Sequence, residues 1–297
     1  MKLVVGATGL LGGKITRQLL DAGQEVRILV REDSPSKQLA RKGMATPAAS
    51  LIEAGAQPVY GDLKDPASLA AACHGIETLI TTANSASRGG NDNPETVEKQ
   101  GNRSLVEVAQ TAGVGHFIFI SAQMADRDSP VPFLAGKAQT EDLLMGGDMP
   151  YTILAPNAFM DVWVFLLVGA PVMSGQPVTL VGSGARKHAF IAMVDVAAFA
   201  LASVDNPRAL NQKLILGGPE ALSFREAAGL YGEMLGLEVE VRSVKPGISL
   251  PNLTPSAMAM AAAFDTYDSR IEMARLAADY GVTLTPMAAF VRQAVQQ

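Results

Sequence analysis

The chain opens Met1-Lys2-Leu3-Val4-Val5-Gly6-Ala7-Thr8-Gly9-Leu10-Leu11-Gly12, a short apolar run delivered straight into three glycines spaced three apart. This spacing predicts a buried strand turning tightly into a helix. Gly6 makes the turn, Gly9 lets backbone approach a pyrophosphate with no Cβ in the way, and Gly12 lets the new helix pack closely on the sheet. The helix amino terminus then offers N–H groups and the positive end of its dipole to an anion. A glycine triplet alone is a weak signal. Here it follows a strand, precedes an amphipathic pattern over Lys14–Ala22 and is backed by a second apolar run at Glu25–Val30, so it reads as a dinucleotide cradle.

The rest of the first half keeps the same rhythm. Apolar runs at Gln57–Tyr60, Thr78–Thr82, His116–Ile120 and Tyr151–Leu154 read as buried parallel strands. Helical patterns separate them at Gly12–Ala22, Ser36–Ala54, Pro66–Cys73, Pro94–Ala112 and Ala135–Met145. The alternation predicts an α/β fold with a doubly wound parallel sheet and right-handed crossovers, its ligand lying outside the carboxyl ends of the strands. After residue 155 the pattern loosens into short strands (Val178–Val181, Lys213–Leu216, Glu238–Val244) and Met/Ala-rich helices, one of them around Ser256–Ala263. Residues 1–155 are therefore expected to form the Rossmann core. Residues 156–297 are expected to form a smaller α+β substrate lobe covering the cofactor site and interleaved with the last sheet strands.

Composition removes several function classes. With 48% hydrophobic and 18% charged residues the chain can bury a sizeable core. A net charge of −5 without a basic run argues against a nucleic-acid partner. The longest apolar stretch, Val162–Met173, carries Gly169 and Pro171 and is too short to cross a bilayer. A single cysteine and three scattered histidines provide no metal-ligand spacing. The expectation is a cytoplasmic protein with no membrane or metal partner; a homodimer stays open.

Cofactor choice is read at the end of the second strand. A carboxylate there suits the ribose diol of NAD, whereas a cation suits the extra phosphate of NADP. Arg31 holds that position, with Glu32 following, so NADP(H) is the preferred expectation and NAD(H) stays open. Lys37 is a second phosphate candidate, or a solvated helix lysine. Asp62 in Gly61-Asp62-Leu63 either accepts from the adenine amino group or forms an Asx turn or helix cap before Asp65-Pro66. Thr82-Ala83-Asn84, small residues at the fourth strand's end, would let the diphosphate and nicotinamide ribose pass.

In this order the residues resemble the NmrA-like branch of the atypical short-chain dehydrogenases/reductases, a branch that includes quinone, triphenylmethane dye and isoflavone-type reductases and redox-sensing regulators. The resemblance rests on Gly6–Gly12, Val30-Arg31, Gly61-Asp62-Leu63, Phe117–Ser121, Lys137 with Glu141 one turn on, Tyr151–Asn157 and Phe190–Asp195. It implies cofactor contacts from Gly6, Thr8, Gly9, Leu10, Leu11, Gly12, Arg31, Asp62, Leu63, Thr82, Ala83, Asn84, Lys137, Pro156 and Asn157. It also implies Lys137 and Ser121 as catalytic residues. Gln123, Met124, Phe133, Phe159, Met160 and Trp163 would line an apolar pocket for a flat aromatic acceptor. Asp195 fits a helix N-cap before Ala197–Leu201. Ala155 stands where the branch usually carries Arg, which removes any charge-mediated role there.

One departure decides the chemistry expected. The wider superfamily places a tyrosine four residues before the lysine, and this chain has Phe133 there. A phenyl ring cannot protonate an alkoxide, so ordinary ketone reduction is disfavoured. A quinone or other conjugated aromatic acceptor yields a stabilised anion that water can protonate. The alternative is a non-catalytic NADP(H)-binding sensor or scaffold; retention of Ser121 and Lys137 favours the reductase.

Overall fold

The computed structural model describes residues 1–32, 45–86, 89–248, 250 and 253–296. Lys37 and the first part of the helix expected at 36–54 lie outside the described residues. The described end of that segment is helical over Ala48–Glu53.

The chain divides into two compact units, 1–155 with 196–215, and 156–195 with 216–297. The expected core strands form at β1 (Lys2–Val5), β2 (Val26–Val30), β3 (Gln57–Tyr60), β4 (Thr78–Thr81), β5 (His116–Ile120) and β6 (Tyr151–Pro156), with β7 (Val178–Val181), β8 (Gln212–Leu216) and β9 (Val241–Val244) following. Seven of them make one sheet in the order β3-β2-β1-β4-β5-β6-β8. The pairs β1–β2, β1–β4, β2–β3, β4–β5 and β5–β6 are all parallel. The order reverses between β1 and β4, so the switch point lies beside the glycine loop. This is the doubly wound sheet of a Rossmann fold.

Central strands are near-continuous apolar runs because helices cover both faces. Leu3, Val4, Ile28, Leu79, Phe117, Phe119 and Ile153 are fully buried. Lys2 joins β1 without an isolated charge: its Nζ pairs with Glu77 and Asp205 at 3.2 and 3.0 Å. The helix after β1, Leu10–Asp21, buries Leu11, Ile15 and Leu19 at four-residue spacing. Asp65 caps the helix Pro66–Cys73 by accepting from Ala67 N, with Pro66 at the first helical position. The segment expected as one helix from Pro94 starts instead as a wide π-helical stretch, Glu95–Gly101, and becomes α-helical over Asn102–Thr111. Such stretches often mark functional sites. This one buries Glu98 completely.

The second unit holds the parallel pair β7–β9 and its own core, including Val164, Phe190, Phe224, Tyr231 and Phe264. Its helix Phe224–Leu235 starts with a reciprocal Ser223–Glu226 capping box and stops at Gly236, which takes the left-handed conformation at φ +67°. Buried His188 accepts at Nδ1 from Ser269 and donates from Nε2 to the Phe264 carbonyl, both at 2.9 Å. Burial holds its pKa below the usual histidine value.

The N-cap reading of Asp195 is corrected. The helix begins earlier, at Met193–Ser203, and Asp161 Oδ2 accepts from Met193 N at 2.8 Å. Asp195 instead accepts from both the backbone N and the hydroxyl of Thr285, at 2.8 and 2.7 Å. Among the described residues no helix is long and apolar enough to cross a membrane, and no group of His, Cys, Asp or Glu could hold a metal ion.

Candidate functional site

The glycine loop is tight. Gly6 takes φ +87°, and a Cβ there would lie 2.7 Å from Thr82 Oγ1. A Cβ on Gly12 would penetrate the Gly6 carbonyl. At Gly9 the nearest atom is the Gly6 carbonyl oxygen, at 3.3 Å, so the space around it stays open toward the helix start. Gly9 itself stands at the N-cap and supplies no side-chain cap, which leaves the first-turn N–H groups to an incoming anion. Leu10 is half-buried and Leu11 buried, so their contribution to such an anion is backbone.

Two braces hold this loop, and sequence reading missed one. Thr82 donates to the Gly6 carbonyl at 3.2 Å, and its own N reaches Val5 O at 2.9 Å. Thr82 is therefore a structural tie at the switch point as well as a small residue. Thr46 N donates to Thr8 O at 2.9 Å, and the Thr46 side chain packs where Gly13 has no Cβ. No motif pointed to Thr46, which precedes its helix without periodicity. Ala83 N donates to Thr81 Oγ1 at 3.3 Å, and the Asn84 side chain donates to Thr82 O and accepts from Ala86 N.

Arg31 sits at the end of β2 inside an ion network. Its Nη1 is 2.8 Å from Asp92 Oδ2 and 3.7 Å from Asp62 Oδ2. Lys64 Nζ bridges the same carboxylates, at 2.9 Å from Asp62 and 2.8 Å from Asp92. Asp62 also accepts from Lys64 N at 2.8 Å, the Asx turn that its sequence allowed. Burial raises the Asp92 carboxyl, but hydrogen bonds from Lys64 and Arg31 outweigh it and hold the group below the usual carboxylate range. The Leu63 side chain is buried in the core against Gly101, so a cofactor contact from Leu63 would be made by its backbone. Lys64 and Asp92 were not legible as site residues.

At the end of β5, Lys137 is 2% exposed and donates from Nζ to Ile120 O at 2.8 Å. The ammonium lies 4.7 Å from the Phe119 ring centroid and 5.6 Å from that of Phe133. Burial lowers its pKa to about 8, while the charges of Glu98 and Glu141 pull the other way. Glu141 is not its direct partner, since that carboxylate pairs with Lys213 at 2.6 Å. Glu98 was missed in the sequence. It accepts from Ser85 N and Ser85 Oγ, both at 2.8 Å, and so ties the loop after β4 to the π-helical stretch, which packs on the lysine's helix at Gly136. Ser121 Oγ and Gln123 Oε1 are buried with no hydrogen-bond partner. Orphaned buried polar atoms of this kind fit a ligand that would complete them. Phe133, Met124 and Gln123 are half-buried at this end of the sheet.

Other predicted site residues belong to the second unit. Met160 is corrected: at 1% exposure it is part of that unit's core. Trp163 packs against the same core, edge-on to Phe264 at 5.1 Å. Phe159 is half-buried and bridges to Ile191 through the backbone. The Asn157 side chain is corrected as a cofactor contact. It is buried and turned to its own unit, donating to Ala189 O and Ser269 Oγ at 3.1 and 2.9 Å and accepting from Ala158 N at 2.8 Å. Pro156 closes β6 and is buried.

A glycine-cradled helix start at a sheet switch point, with charged residues at the ends of β2 and β3, defines the class: a Rossmann-type dinucleotide-binding protein. The chain belongs to the NmrA-like family, whose model matches residues 2–284. It is 30% identical over 243 residues to the photosystem II assembly factor Ycf39 of Trieres chinensis, covering 82% of this chain and 71% of that protein. It is 27% identical over 266 residues to an NAD(P)H azoreductase of Xenophilus azovorans, covering 87% and 85%. Among solved structures it resembles an NADPH-dependent quinone oxidoreductase of Escherichia coli complexed with NADPH, with a TM-score of 0.79 at 22% identity over 99% of both chains.

Proposed function

We propose that this chain is an NADPH-dependent reductase delivering hydride to a quinone-like or other conjugated aromatic acceptor. The observation that carries the reading is Phe133 one turn before Lys137: the phenol is absent, while a buried ammonium is kept on the Ile120 carbonyl, next in the chain to Ser121, whose Oγ has no hydrogen-bond partner. The loop Gly6–Gly12 would hold the diphosphate, Arg31 the 2′-phosphate, and Ser121 with Lys137 the nicotinamide end. Bound NADPH supplies a hydride from its nicotinamide ring. Lys137 places positive charge where the acceptor becomes an anion, and such preorganised charge acts strongly out of water. With no phenol to donate, the final proton comes from water or from Lys137 itself, whose lowered pKa of about 8 suits it to give one up near neutrality. Phe133, Gln123 and Met124 offer a flat, largely apolar surface for an aromatic ring.

A second reading is a non-catalytic NADP(H)-binding regulator or scaffold. It is supported by the assembly factor among the relatives. The retained Ser121 and Lys137 weigh against it. The test is to mix the protein with NADPH and a panel of quinones, azo dyes and triphenylmethane dyes and follow the loss of NADPH absorbance. Acceptor-dependent oxidation is expected. Tight NADPH binding with no turnover across the panel would leave the regulator reading standing instead.

A further inference from the structure

The Arg31 network contains more than a phosphate-binding arginine needs. Among the described residues two cations, Arg31 and Lys64, face two carboxylates, Asp62 and Asp92, with N–O separations of 2.8 to 3.7 Å. The formal charges of these four side chains cancel. A phosphate dianion placed among these four groups has its attraction to each cation opposed by a carboxylate a few ångströms away. Something must yield.

The two carboxylates are held differently. Asp62 is fixed from both sides of its residue: its Oδ1 accepts from Lys64 N at 2.8 Å and its N donates to Ser68 Oγ at 3.1 Å. Asp92 comes from a turn after β4 that closes by paired backbone bonds between Gly89 and Asp92, at 3.2 and 3.1 Å, through Gly89 and Gly90 at φ +130° and +60°. Its two carboxylate oxygens divide themselves between the cations, Oδ2 to Arg31 and Oδ1 to Lys64, both at 2.8 Å. A phosphate uses neighbouring oxygens on two cations in the same way. Meanwhile Arg31 Nη2 is buried without a hydrogen-bond partner, a guanidinium donor left over after Asp92 has taken its share.

We propose that Asp92 is an internal stand-in for the 2′-phosphate: it keeps Arg31 and Lys64 together as a preformed two-cation clamp and is displaced when a 2′-phosphorylated dinucleotide binds. Lys64 is then the second phosphate ligand, and Asp92 sets how strongly phosphorylated cofactors are preferred over unphosphorylated ones. The inference rests on the NADPH reading above and assigns the competing group within it. The stand-in offsets the repulsion between the two close cations, and it lowers affinity for the phosphate by the strength of the bonds it must release.

Titration calorimetry with adenosine 2′,5′-bisphosphate and with 5′-AMP tests this without any turnover. The wild type should prefer the bisphosphate. Asp92→Asn should bind the bisphosphate about fivefold to tenfold more tightly, with 5′-AMP affinity changed less than about twofold. Lys64→Gln should bind the bisphosphate about tenfold more weakly, again with little change for 5′-AMP. Retained 5′-AMP binding reports that each variant is folded. If the wild type shows no preference for the bisphosphate, the NADPH reading fails and takes this proposal with it. If the preference is present but Asp92→Asn leaves it unchanged or weakens it, the stand-in role alone is overturned. A selective loss of 5′-AMP affinity in Asp92→Asn would make Asp92 a ribose-diol ligand instead, and would overturn the proposal equally.

Discussion

Gly136 and Glu98 are in direct contact: a methyl group added to Gly136 would lie 2.5 Å from Glu98 Cβ. Gly136 immediately precedes Lys137, so the missing side chain is what allows a wholly buried carboxylate to pack against the lysine's own turn. Gly136→Ala should overpack this contact at a cost of about 1–3 kcal/mol. Thermal unfolding is expected to shift down by several degrees, and an unshifted transition would show that the π-helical turn carrying Glu98 can move aside.

The same contact gives Glu98 an electrostatic task. Burial lowers Lys137 to about 8, and the negative charge of Glu98 is the first of two that hold it from falling further. Lys137 is charged below that pH and neutral above it. Turnover that uses the ammonium should therefore be level on the acid side and decline as pH rises through about 8. Glu98→Gln removes the carboxylate's pull, so the decline should move to lower pH, by about one unit. A purely structural Glu98 would reduce the rate at every pH and leave the midpoint of kcat where it was.

Gly9 and Gly12 separate binding from folding. Gly9 has φ −75°, and a Cβ there meets only the Gly6 carbonyl oxygen, at 3.3 Å. Gly9→Ala should keep the wild-type melting temperature within a few degrees and lose NADPH affinity by at least about tenfold, because the methyl group occupies the approach of the diphosphate. Gly12→Ala must displace backbone at the loop itself, so it should lose both stability and binding. Melting curves and NADPH fluorescence titration on the pair read out the two effects. Equal binding by Gly9→Ala and wild type would remove the loop from the cofactor site.

His116 gives the first unit an acid limit. Its ring is buried, Nε2 lies 2.8 Å from Thr152 Oγ1, and that hydroxyl donates to Ala209 O at 2.7 Å. Burial lowers its pKa to about 4. The unfolded chain, with an ordinary histidine near 6.5, binds more protons than the folded one between these values. Stability is thus intact above about 6.5 and drains away as pH falls toward 4, by on the order of 2–3 kcal/mol. Urea unfolding at pH 7 and at pH 4.5 should show this loss in the wild type and much less of it in His116→Gln.

The parts of this architecture that could be read from sequence are those where the relevant neighbours are close in the chain. The glycine loop, the apolar strands and the Asp65-Pro66 helix start are set by adjacent residues and by hydrophobic period. Asp195 shows where that logic stops. Its place near a helix start fits a cap, yet its partner is Thr285, ninety residues on, and Asp161 fills the cap instead. Lys64, Asp92 and Thr46 escaped for the same reason: each reaches the site only once separate strands lie side by side. Glu98 was hidden because a glutamate at helical spacing reads as a solvated face, and only the π-helical stretch together with Gly136 turns it inward. Met160 was misplaced because an apolar residue after a strand has the same signature in a pocket wall as in a core.

Phe133 offers the sharpest test of the chemistry. It sits on the first turn of the helix Pro132–Met145, its ring 5.6 Å from the Lys137 ammonium. Phe133→Tyr adds one oxygen to a half-buried ring and nothing else, so the fold should tolerate it. The added phenol would lie on the lysine's side of the helix, where nearby positive charge favours the phenolate and lowers its pKa. That is the condition for a useful proton donor. An added general acid is expected to raise NADPH oxidation with simple ketones or aldehydes by on the order of 10²-fold over the wild type. Quinone turnover, which needs no strong local acid, should change by less than about threefold. If the variant gains nothing with carbonyl substrates while still reducing quinones, the missing phenol is not what limits this chain to conjugated acceptors. The cause would then be the shape of the surface formed by Gln123, Met124 and residue 133. If the wild type already reduces simple ketones well, Lys137 is the proton donor and the Phe133 argument loses its force.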